Sequence, residues 1–225
     1  MAKQVIFLGP SLSHEKAKKI LPEAEYRPPA KKGDLLRLAA DSEVSMVGLV
    51  DGVFLQDYPP TPIEVHQLAV KPGVLVAGAA SLGALRAVEL EKFGMMGIGR
   101  VFQLYKKGMI DADDEVAVTF APEGDYKLQS EAMVDIRYNL FLARKKGIIG
   151  RGAKKAMTAV AKEIYFPHRN YAQIIEVEKS RHAELDSDIC AFEKYIGSER
   201  KSLKESDAIR LVEYFRDHRS RPARQ

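Results

Sequence analysis

Three apolar runs, each followed by a helix-like segment, constrain the fold of this chain more than any other feature of its sequence. The runs are Val5–Leu8, Val44–Val50 and Val74–Ala79, and each is apolar along nearly its whole length. Strands that are buried on both faces have this pattern, and it is typical of parallel sheets, because βαβ crossovers place helices on both sides. The sequence therefore predicts a three-layer α/β domain with a parallel sheet.

The apolar residues between and after these strands recur at helical spacing, which predicts helices there. The first helix begins after Ser13, whose side chain is a suitable N-cap. A further strand is predicted over Glu115–Phe120, and the glycines of Gly94–Arg100 are interpreted as a C-cap and turn. The other helices predicted in this part are Asp34–Ala40, Ile63–Val70, Leu82–Phe93 and Val101–Lys107.

From about Ser130 onward the apolar spacing is almost entirely helical. We therefore predict two domains: residues 1–125 form the α/β core domain, and residues 126–225 form a mainly helical region. A chain of 225 residues is long enough for this arrangement.

Composition excludes several classes of protein. The single cysteine, Cys190, allows no internal disulfide, and no apolar run approaches the ~20 residues that a membrane span needs. The apolar run near the start, Val5–Leu8, is too short for the core of a signal peptide. We expect a cytoplasmic protein with no membrane contact.

The net charge of +4 arises after residue 150. Residues 1–150 carry 19 Lys and Arg and 19 Asp and Glu, whereas residues 151–225 carry 16 and 12. Acidic and aromatic residues are mixed into the basic part, so nucleic acid is not the predicted partner. We expect the basic helical segment after residue 150 to help dock a partner protein.

Polar residues follow each of the three predicted strands. Ser11 follows the first, Asp51 and Gly52 follow the second, and Ser81 follows the third. Ligands of open parallel sheets bind beyond the carboxyl ends of the strands, so this edge is the predicted site. Asp51 before a glycine is also typical of an Asx turn.

Ser81 lies between a strand and a helix, in the pattern Ala-x-Ser-x-Gly that ends at Gly83. This is close to a nucleophile elbow, in which a sharp turn exposes the serine oxygen and directs helix N-terminal amides at an oxyanion. A simple N-cap explains the serine equally well. In the same helix Arg86 can bind an anion, or it can form an ordinary ion pair with Glu89.

Other polar residues give weaker signals. Asp113 and Asp114 belong to an acidic run that suits a cation, but a solvated loop is the commoner explanation. The five histidines lack the short spacing of a zinc site, so no metal site is predicted. His66 is the histidine nearest to the predicted edge in the sequence.

Several motifs together identify a family that this chain resembles. Roughly from Val5 to Val118 the sequence is similar to the TfuA-like proteins, most specifically over Gly78–Leu90 and then over Asp113–Val116. The other matching segments are Phe7–Leu12, Tyr26–Ala30, Gly33-Asp34 and Val50–Phe54.

The resemblance implies a function in backbone thioamidation of peptides or proteins. TfuA-like proteins occur with YcaO-type enzymes, which use ATP, whereas the TfuA-like chain itself requires no cofactor. The implied activity is hydrolysis of the thiocarboxylate on a ThiS-like carrier protein, which releases sulfide. Cys190 lies outside the resembling region, which argues against a persulfide relay.

The resemblance also implies site residues. The catalytic candidates are Ser81, Asp51 and Arg86, with either Ser81 or a water positioned by Asp51 as the nucleophile. The family often has a histidine before the glutamate that corresponds to Glu64, whereas here His66 follows it. The binding candidates are Ser11, Gly52, Glu64, Gly83, Glu89, Asp113 and Asp114.

Two other functions remain open at this stage. The chain can be a non-catalytic activator that docks on a YcaO-type enzyme, in which case Ser81→Ala is tolerated. It can also be an independent serine hydrolase, for which His168 is the candidate base.

Overall fold

The computed structural model describes residues 3–54, 57–121, 124 and 126–218. The chain forms two compact units. The α/β unit comprises residues 1–113, 122–127 and 204–225, and the helical unit comprises residues 114–121 and 128–203.

The α/β unit is built on a parallel sheet of five strands. The strands lie in the order β2-β1-β3-β4-β5, and every neighbouring pair is parallel. The three apolar runs of the sequence are the adjacent strands β1, β3 and β4, so the predicted parallel α/β sheet is confirmed. The bounds are β1 Lys3–Phe7, β2 Glu25–Arg27, β3 Val44–Leu49, β4 Leu75–Ala79 and β5 Met96–Ile98.

Helices follow the strands much as the sequence predicts. Ser13 caps α1 by accepting a hydrogen bond from the Lys16 amide at 3.3 Å. The helix after β4 ends at Leu90 and continues as a 3₁₀ turn over Glu91–Phe93. The bounds are α1 His14–Ile20, α2 Asp34–Ala40, α3 Pro62–Ala69, α4 Leu82–Leu90 and α5 Arg100–Lys106.

The last helix of the chain, α10 (Leu203–His218), belongs to the core of the α/β unit. Its residues Leu211 and Phe215 are fully buried in the cluster that also contains Ile6. Gly48 in β3 makes room for this helix, since a Cβ there would lie 2.8 Å from Leu211 Cδ2. The cluster also contains α1 residues, so α1 and α10 cover the same face of the sheet.

One prediction in the middle of the chain is wrong, and another is confirmed only in part. Glu115–Phe120 is not a strand: Asp113–Glu115 is a 3₁₀ turn, and Phe120 makes one isolated bridge to Leu128. The segment Gly94–Arg100 is more than a turn, because it contains the short edge strand β5. Gly94, with φ 95°, is the predicted C-cap.

The helical unit packs four long helices around its own core. Met133, Leu140, Met157 and Phe192 are all completely buried in it. The helical C-terminal stretch predicted from the sequence is therefore present. The bounds are α6 Met133–Lys145, α7 Arg151–Glu163, α8 Tyr171–Arg181 and α9 Asp186–Glu199.

The two units are interleaved in the sequence, whereas the prediction placed one boundary at residue 125. The helical unit begins at residue 114, eleven residues before that boundary, and the chain returns to the α/β unit at residue 204. None of the helices in the described part of the chain is both long and apolar enough to cross a bilayer.

Glu178 on α8 is a buried carboxyl that carries a cost at neutral pH. Its side chain is completely buried, and neither oxygen has a hydrogen-bond partner among the described residues. Burial raises its pKa above the ordinary value, with Glu163 and Glu184 adding to the shift and His182 and Arg181 opposing it. The folded state therefore binds the proton of the Glu178 carboxyl more tightly than the unfolded state does. The stability of the folded state falls as pH rises above about 4.5.

We predict that Glu178→Gln raises the melting temperature at pH 7 relative to the parent chain and has little effect at pH 4. The amide keeps the size of the side chain and removes the charged form, whose burial is unfavourable. Melting curves across this pH range measure the difference. The matched control is Glu176→Gln on the exposed face of the same helix, and equal pH profiles for the two variants contradict the prediction.

Candidate functional site

Asp51 and Ser11 meet at the carboxyl edge of the sheet, as their positions after two strands predict. Asp51 follows β3 and is 1% exposed. Its Oδ2 accepts hydrogen bonds from the backbone amides of Gly9 at 2.9 Å and Ser11 at 3.0 Å, and its Oδ1 accepts one from Ser11 Oγ at 2.6 Å. The carboxylate thereby fastens the loop after β1 to the end of β3.

These hydrogen bonds give Asp51 a structural function. The strand order places the topological switch point between β1 and β3, where sheets of this order usually bind their ligand. Here the Asp51 carboxylate takes up the loop amides that would otherwise face a ligand. The expected positioning of a water by Asp51 therefore has no support in the hydrogen bonds of this site.

A strained turn leads from β4 into α4. The Ser81 amide donates a 2.8 Å hydrogen bond to the Ala79 carbonyl, and Ala80 between them has φ 65°. This combination is a classic-type γ-turn, which is rare and costly for a residue with a Cβ. The sharp turn predicted at Ser81 is thus present, but the strained residue is Ala80.

Ser81 occupies the N-cap position of α4 without capping it. Its backbone has φ −109° and ψ −123°, and its side chain makes no capping hydrogen bond. Its residue surface is 3% exposed. The capping explanation for this serine is therefore not supported, and the hydroxyl lies below the protein surface.

Gly83 lets the start of α4 approach the end of β3 closely. A Cβ at Gly83 would lie 1.7 Å from the Leu49 carbonyl oxygen, and the Gly83 amide donates to the Val50 carbonyl at 3.2 Å. Gly52 serves the same contact, because a Cβ there would lie 2.1 Å from Leu82 Cδ2. Of the helix N-terminal amides expected to face an oxyanion, that of Gly83 is thus already used within the fold.

A groove of about 530 Å³ opens beside the first two turns of α4. One wall is the loop after β3, which includes Tyr58 and Pro59 of the proline-rich segment. Two charged candidates from the sequence, Arg86 and Asp113, lie in its lining. The complete lining is Phe54, Asp57, Tyr58, Pro59, Leu82, Leu85, Arg86 and Asp113.

Arg86 is held in the groove by two neighbours. Its Nε donates to the Pro60 carbonyl at 3.1 Å, and its Nη1 donates to both carboxylate oxygens of Glu89 at 3.0 and 2.8 Å. The predicted ion pair is therefore formed, with the Arg86 side chain 13% exposed. Nη2 donates to none of the described residues, so the guanidinium retains a donor for an anion.

Asp113 contributes an exposed carboxylate to the same groove. It has no ion-pair partner within the described ranges. The neighbouring acid Asp57 differs in this respect, because Lys31 Nζ lies 2.8 Å from its Oδ2. The hydrogen bond from Lys31, together with one from the Tyr58 amide, lowers the pKa of Asp57. Asp113 is therefore the groove carboxylate without an ion-pair partner among the described residues.

Glu64 lies apart from the groove lining and has a structural function. It forms a capping box with Thr61 at the start of α3. Its Oε2 also accepts a 2.6 Å hydrogen bond from the Gly33 amide, at the start of α2. The side chain is 3% exposed, so this family position ties two helix N-termini together.

Asp114 belongs to the helical unit, although its neighbour Asp113 belongs to the α/β unit. Its Oδ2 accepts a 2.9 Å hydrogen bond from Arg169, whose side chain is 1% exposed. Burial alone would raise the pKa of Asp114, but hydrogen bonds from Lys162 and Arg169 outweigh it and lower the pKa. Asp114 is thus a structural ion-pair partner. The buried Arg169 could not be predicted, because no local pattern marks it.

His14 adjoins the loop after β1, whereas His66, which is nearer to the predicted edge in the sequence, does not lie in the groove lining. His66 lies in the last turn of α3 with its ring edge-on to Phe93, 4.7 Å between centroids. That end of α3 lies toward the opposite edge, since a crossover helix runs back against the strands. His14 begins α1, and its Nε2 lies 2.7 Å from the Leu8 carbonyl oxygen.

Metal ligands are not grouped anywhere in the described ranges: no three His, Cys, Asp or Glu side chains there are arranged to hold an ion. The groove itself combines a guanidinium, a carboxylate without an ion-pair partner among the described residues, and an apolar wall. Such a combination can bind an anionic group on a slender apolar or backbone segment and can accept a proton beside it.

A family model described as TfuA-like protein matches residues 51–170, just over half of the chain. The matched range contains the groove-lining residues, the turn before α4 and the buried Arg169. No curated protein matches the chain significantly.

Proposed function

The chain belongs to the TfuA-like family, and on this premise we propose that it releases sulfide from a thiocarboxylated ThiS-like carrier protein for a YcaO-type enzyme. The family is associated with YcaO-dependent thioamidation. Such a reaction needs a source of sulfur, and hydrolysis of a carrier thiocarboxylate supplies it.

The groove beside α4 is the observation that carries this proposal. Its apolar wall of Phe54, Leu82 and Leu85 can pack against the end of a carrier chain whose last residues have no side chains. Arg86 can bind the negative charge at that end. Tyr58 and Pro59 limit the groove on the other side. A ligand with bulky side chains near its terminus fits such a groove less well.

Hydrolysis in the groove is written with water as the nucleophile. The water oxygen bonds to the carbonyl carbon of the thiocarboxylate, the carbon–sulfur bond breaks, and sulfur leaves as hydrosulfide. The carrier terminus becomes a carboxylate. One proton of the water goes to Asp113 and then to solvent, and the other is transferred to the departing sulfur. The reaction needs no oxidant or reductant.

Arg86 and Asp113 have different functions in the proposed reaction. The Nη2 donor of Arg86 binds the oxygen that becomes negative during the attack, a function that the Gly83 amide cannot serve while it donates to Val50. Asp113 accepts the proton of the attacking water. Both side chains line the same groove.

Ser81 is the alternative nucleophile. Attack by its hydroxyl requires an ester between the carrier and this chain, which water then hydrolyses. The low exposure of Ser81 and its absence from the groove lining favour the water route. We further propose that the chain uses no cofactor, and that ATP is consumed by the YcaO-type partner.

The experiment that tests the proposal follows the mass of the carrier. A thiocarboxylated carrier is incubated with the full chain, and we expect intact mass spectrometry to show replacement of one sulfur by oxygen, with an equal amount of sulfide in solution. Carrier alone and carrier with heat-denatured chain are the controls. An unchanged carrier mass, with stimulated thioamidation when the YcaO-type enzyme is added, contradicts hydrolysis and supports the non-catalytic activator.

A further inference from the structure

The segment from Ile136 to Lys162 is strongly basic. It contains eight Lys and Arg residues and no Asp or Glu, and it covers most of α6, the connection after it and nearly all of α7. A segment of this length between Asp135 and Glu163 without one acidic residue is unusual for a solvated surface, where both signs are normally interspersed.

Three of the eight cations have carboxylate partners within the helical unit. Arg137 pairs with Glu115 at 2.9 Å, Lys162 pairs with Asp114 and Glu115, and Lys146 pairs with Glu199. The other five make no ion pair with any described residue. We call these five the basic corner: Arg144, Lys145, Arg151, Lys154 and Lys155.

The basic corner lies where the two helices are joined. Arg144 and Lys145 are in the last turn of α6, and Arg151 is the first residue of α7. The connection between them turns at Gly147, whose φ is 74°. All five side chains therefore belong to one end of the hairpin.

Helix electrostatics explains only part of this distribution. Arg144 and Lys145 are favourable near the negative end of the α6 dipole. The three cations that begin α7 are at the positive end of their helix, which favours acidic side chains, and the first turn of α7 contains none. Asp188 places one negative charge at this helix end, because its Oδ2 accepts a 2.7 Å hydrogen bond from the Gly150 amide. The helical unit thus tolerates an unfavourable concentration of positive charge.

An exposed aromatic residue adjoins the basic corner. Phe141 is 45% exposed, and it precedes Arg144 and Lys145 by three and four residues, so the three side chains share one stripe of α6. An aromatic anchor beside an arginine is typical of protein interfaces. Single-stranded nucleic acid would call for several stacking aromatics along a groove, whereas Phe141 is the one exposed aromatic residue of α6 and α7.

We propose that the basic corner, with Phe141 as its anchor, docks an acidic surface of a partner protein, and that this partner is the YcaO-type enzyme with which the family is associated. The groove belongs to the α/β unit and the basic corner to the helical unit. The two sites can therefore serve different proteins, with the carrier in the groove. The inference rests on the family association within the proposed function and does not depend on hydrolysis.

The test measures the affinity of the full chain for its YcaO-type enzyme in the absence of any sulfur carrier. Arg151→Glu, Lys154→Glu and Lys155→Glu are combined, because acidic residues there suit the start of α7 and should not lower the melting temperature. We expect the affinity to fall by more than about tenfold and to lose most of its dependence on salt. The matched control combines Lys18→Glu, Lys92→Glu and Lys107→Glu, which are exposed cations of the α/β unit.

Three results overturn the inference. In the first, the corner variant binds the enzyme as tightly as the parent chain does. In the second, the control variant loses as much affinity, which makes net charge the cause. In the third, a mixed-sequence RNA displaces the enzyme from the parent chain and fails to bind the corner variant. Sulfide release from free carrier is measured on the same variant, and we expect the parent rate, so a failure of hydrolysis is seen separately.

Discussion

Phe215→Ala is expected to lower the free energy of unfolding of the α/β unit by about 3–5 kcal/mol, the usual cost of removing a buried phenylalanine ring. The ring is completely buried in the cluster that contains Ile6, Ala77 and Leu211. Alanine leaves a cavity there that the parallel sheet, fixed by its neighbours, cannot close. Chemical denaturation followed by circular dichroism measures the loss.

Phe93→Ala is the matched control in the same unit, because this ring is 50% exposed. A loss for Phe215→Ala no larger than that of the control would show that α10 does not belong to the core of the α/β unit. The prediction also changes how the C-terminal region can be studied. A truncation before Gly150 removes α10 along with α7, α8 and α9, so it exposes one face of the sheet and cannot test docking alone.

The strands β1, β3 and β4 could be predicted because each is buried on both faces and so carries an uninterrupted apolar signal. Strands β2 and β5 could not, since each has three residues and none of those residues is fully buried. At the edges of a sheet the side chains need not be apolar. The false strand at Glu115–Phe120 has the opposite origin, because its apolar residues are buried without sheet pairing.

The position of α10 shows a different limit of the sequence. Its apolar residues recur at helical spacing, which predicts an amphipathic helix and a buried face. The spacing does not identify the surface that buries this face, and the preceding helices make a helical domain the obvious choice. The complementary signal is Gly48 in the middle of β3, where the missing side chain admits Leu211, and it is recognisable only when both partners are known.

The location of the site could be predicted from the sequence, whereas the functions of its residues could not. Ser11 and Asp51 meet as expected, because the ends of adjacent parallel strands are neighbours. What each group does depends on where its donors and acceptors point. The Asp51 carboxylate accepts hydrogen bonds from the loop after β1, and the Gly83 amide donates its hydrogen bond to the Val50 carbonyl. Such pairings connect residues about forty positions apart and leave no local pattern in the sequence.

Arg86 and Asp113 are therefore the residues whose loss should most impair sulfide release. We expect Arg86→Ala to slow the release by about 10²- to 10³-fold, the usual effect of losing a donor to a developing oxyanion. Arg37→Ala is the matched control, because Arg37 forms a similar i,i+3 ion pair with Asp34 on α2. Equal rates for the two variants would reduce Arg86 to an ordinary ion-pair partner of Glu89.

Asp113→Asn should slow sulfide release by about 10²- to 10⁴-fold, since the amide cannot accept the proton of the attacking water. Asp111→Asn, two residues earlier and also exposed, is its control and should retain the parent rate.

Ser81→Ala separates the two nucleophiles, because the water route requires the parent rate within a few-fold. The readouts are single-turnover sulfide release and the intact mass of the chain itself. An acyl adduct on the chain that disappears with Ser81→Ala, together with loss of turnover, would make Ser81 the nucleophile and would leave Asp113 without the function proposed for it.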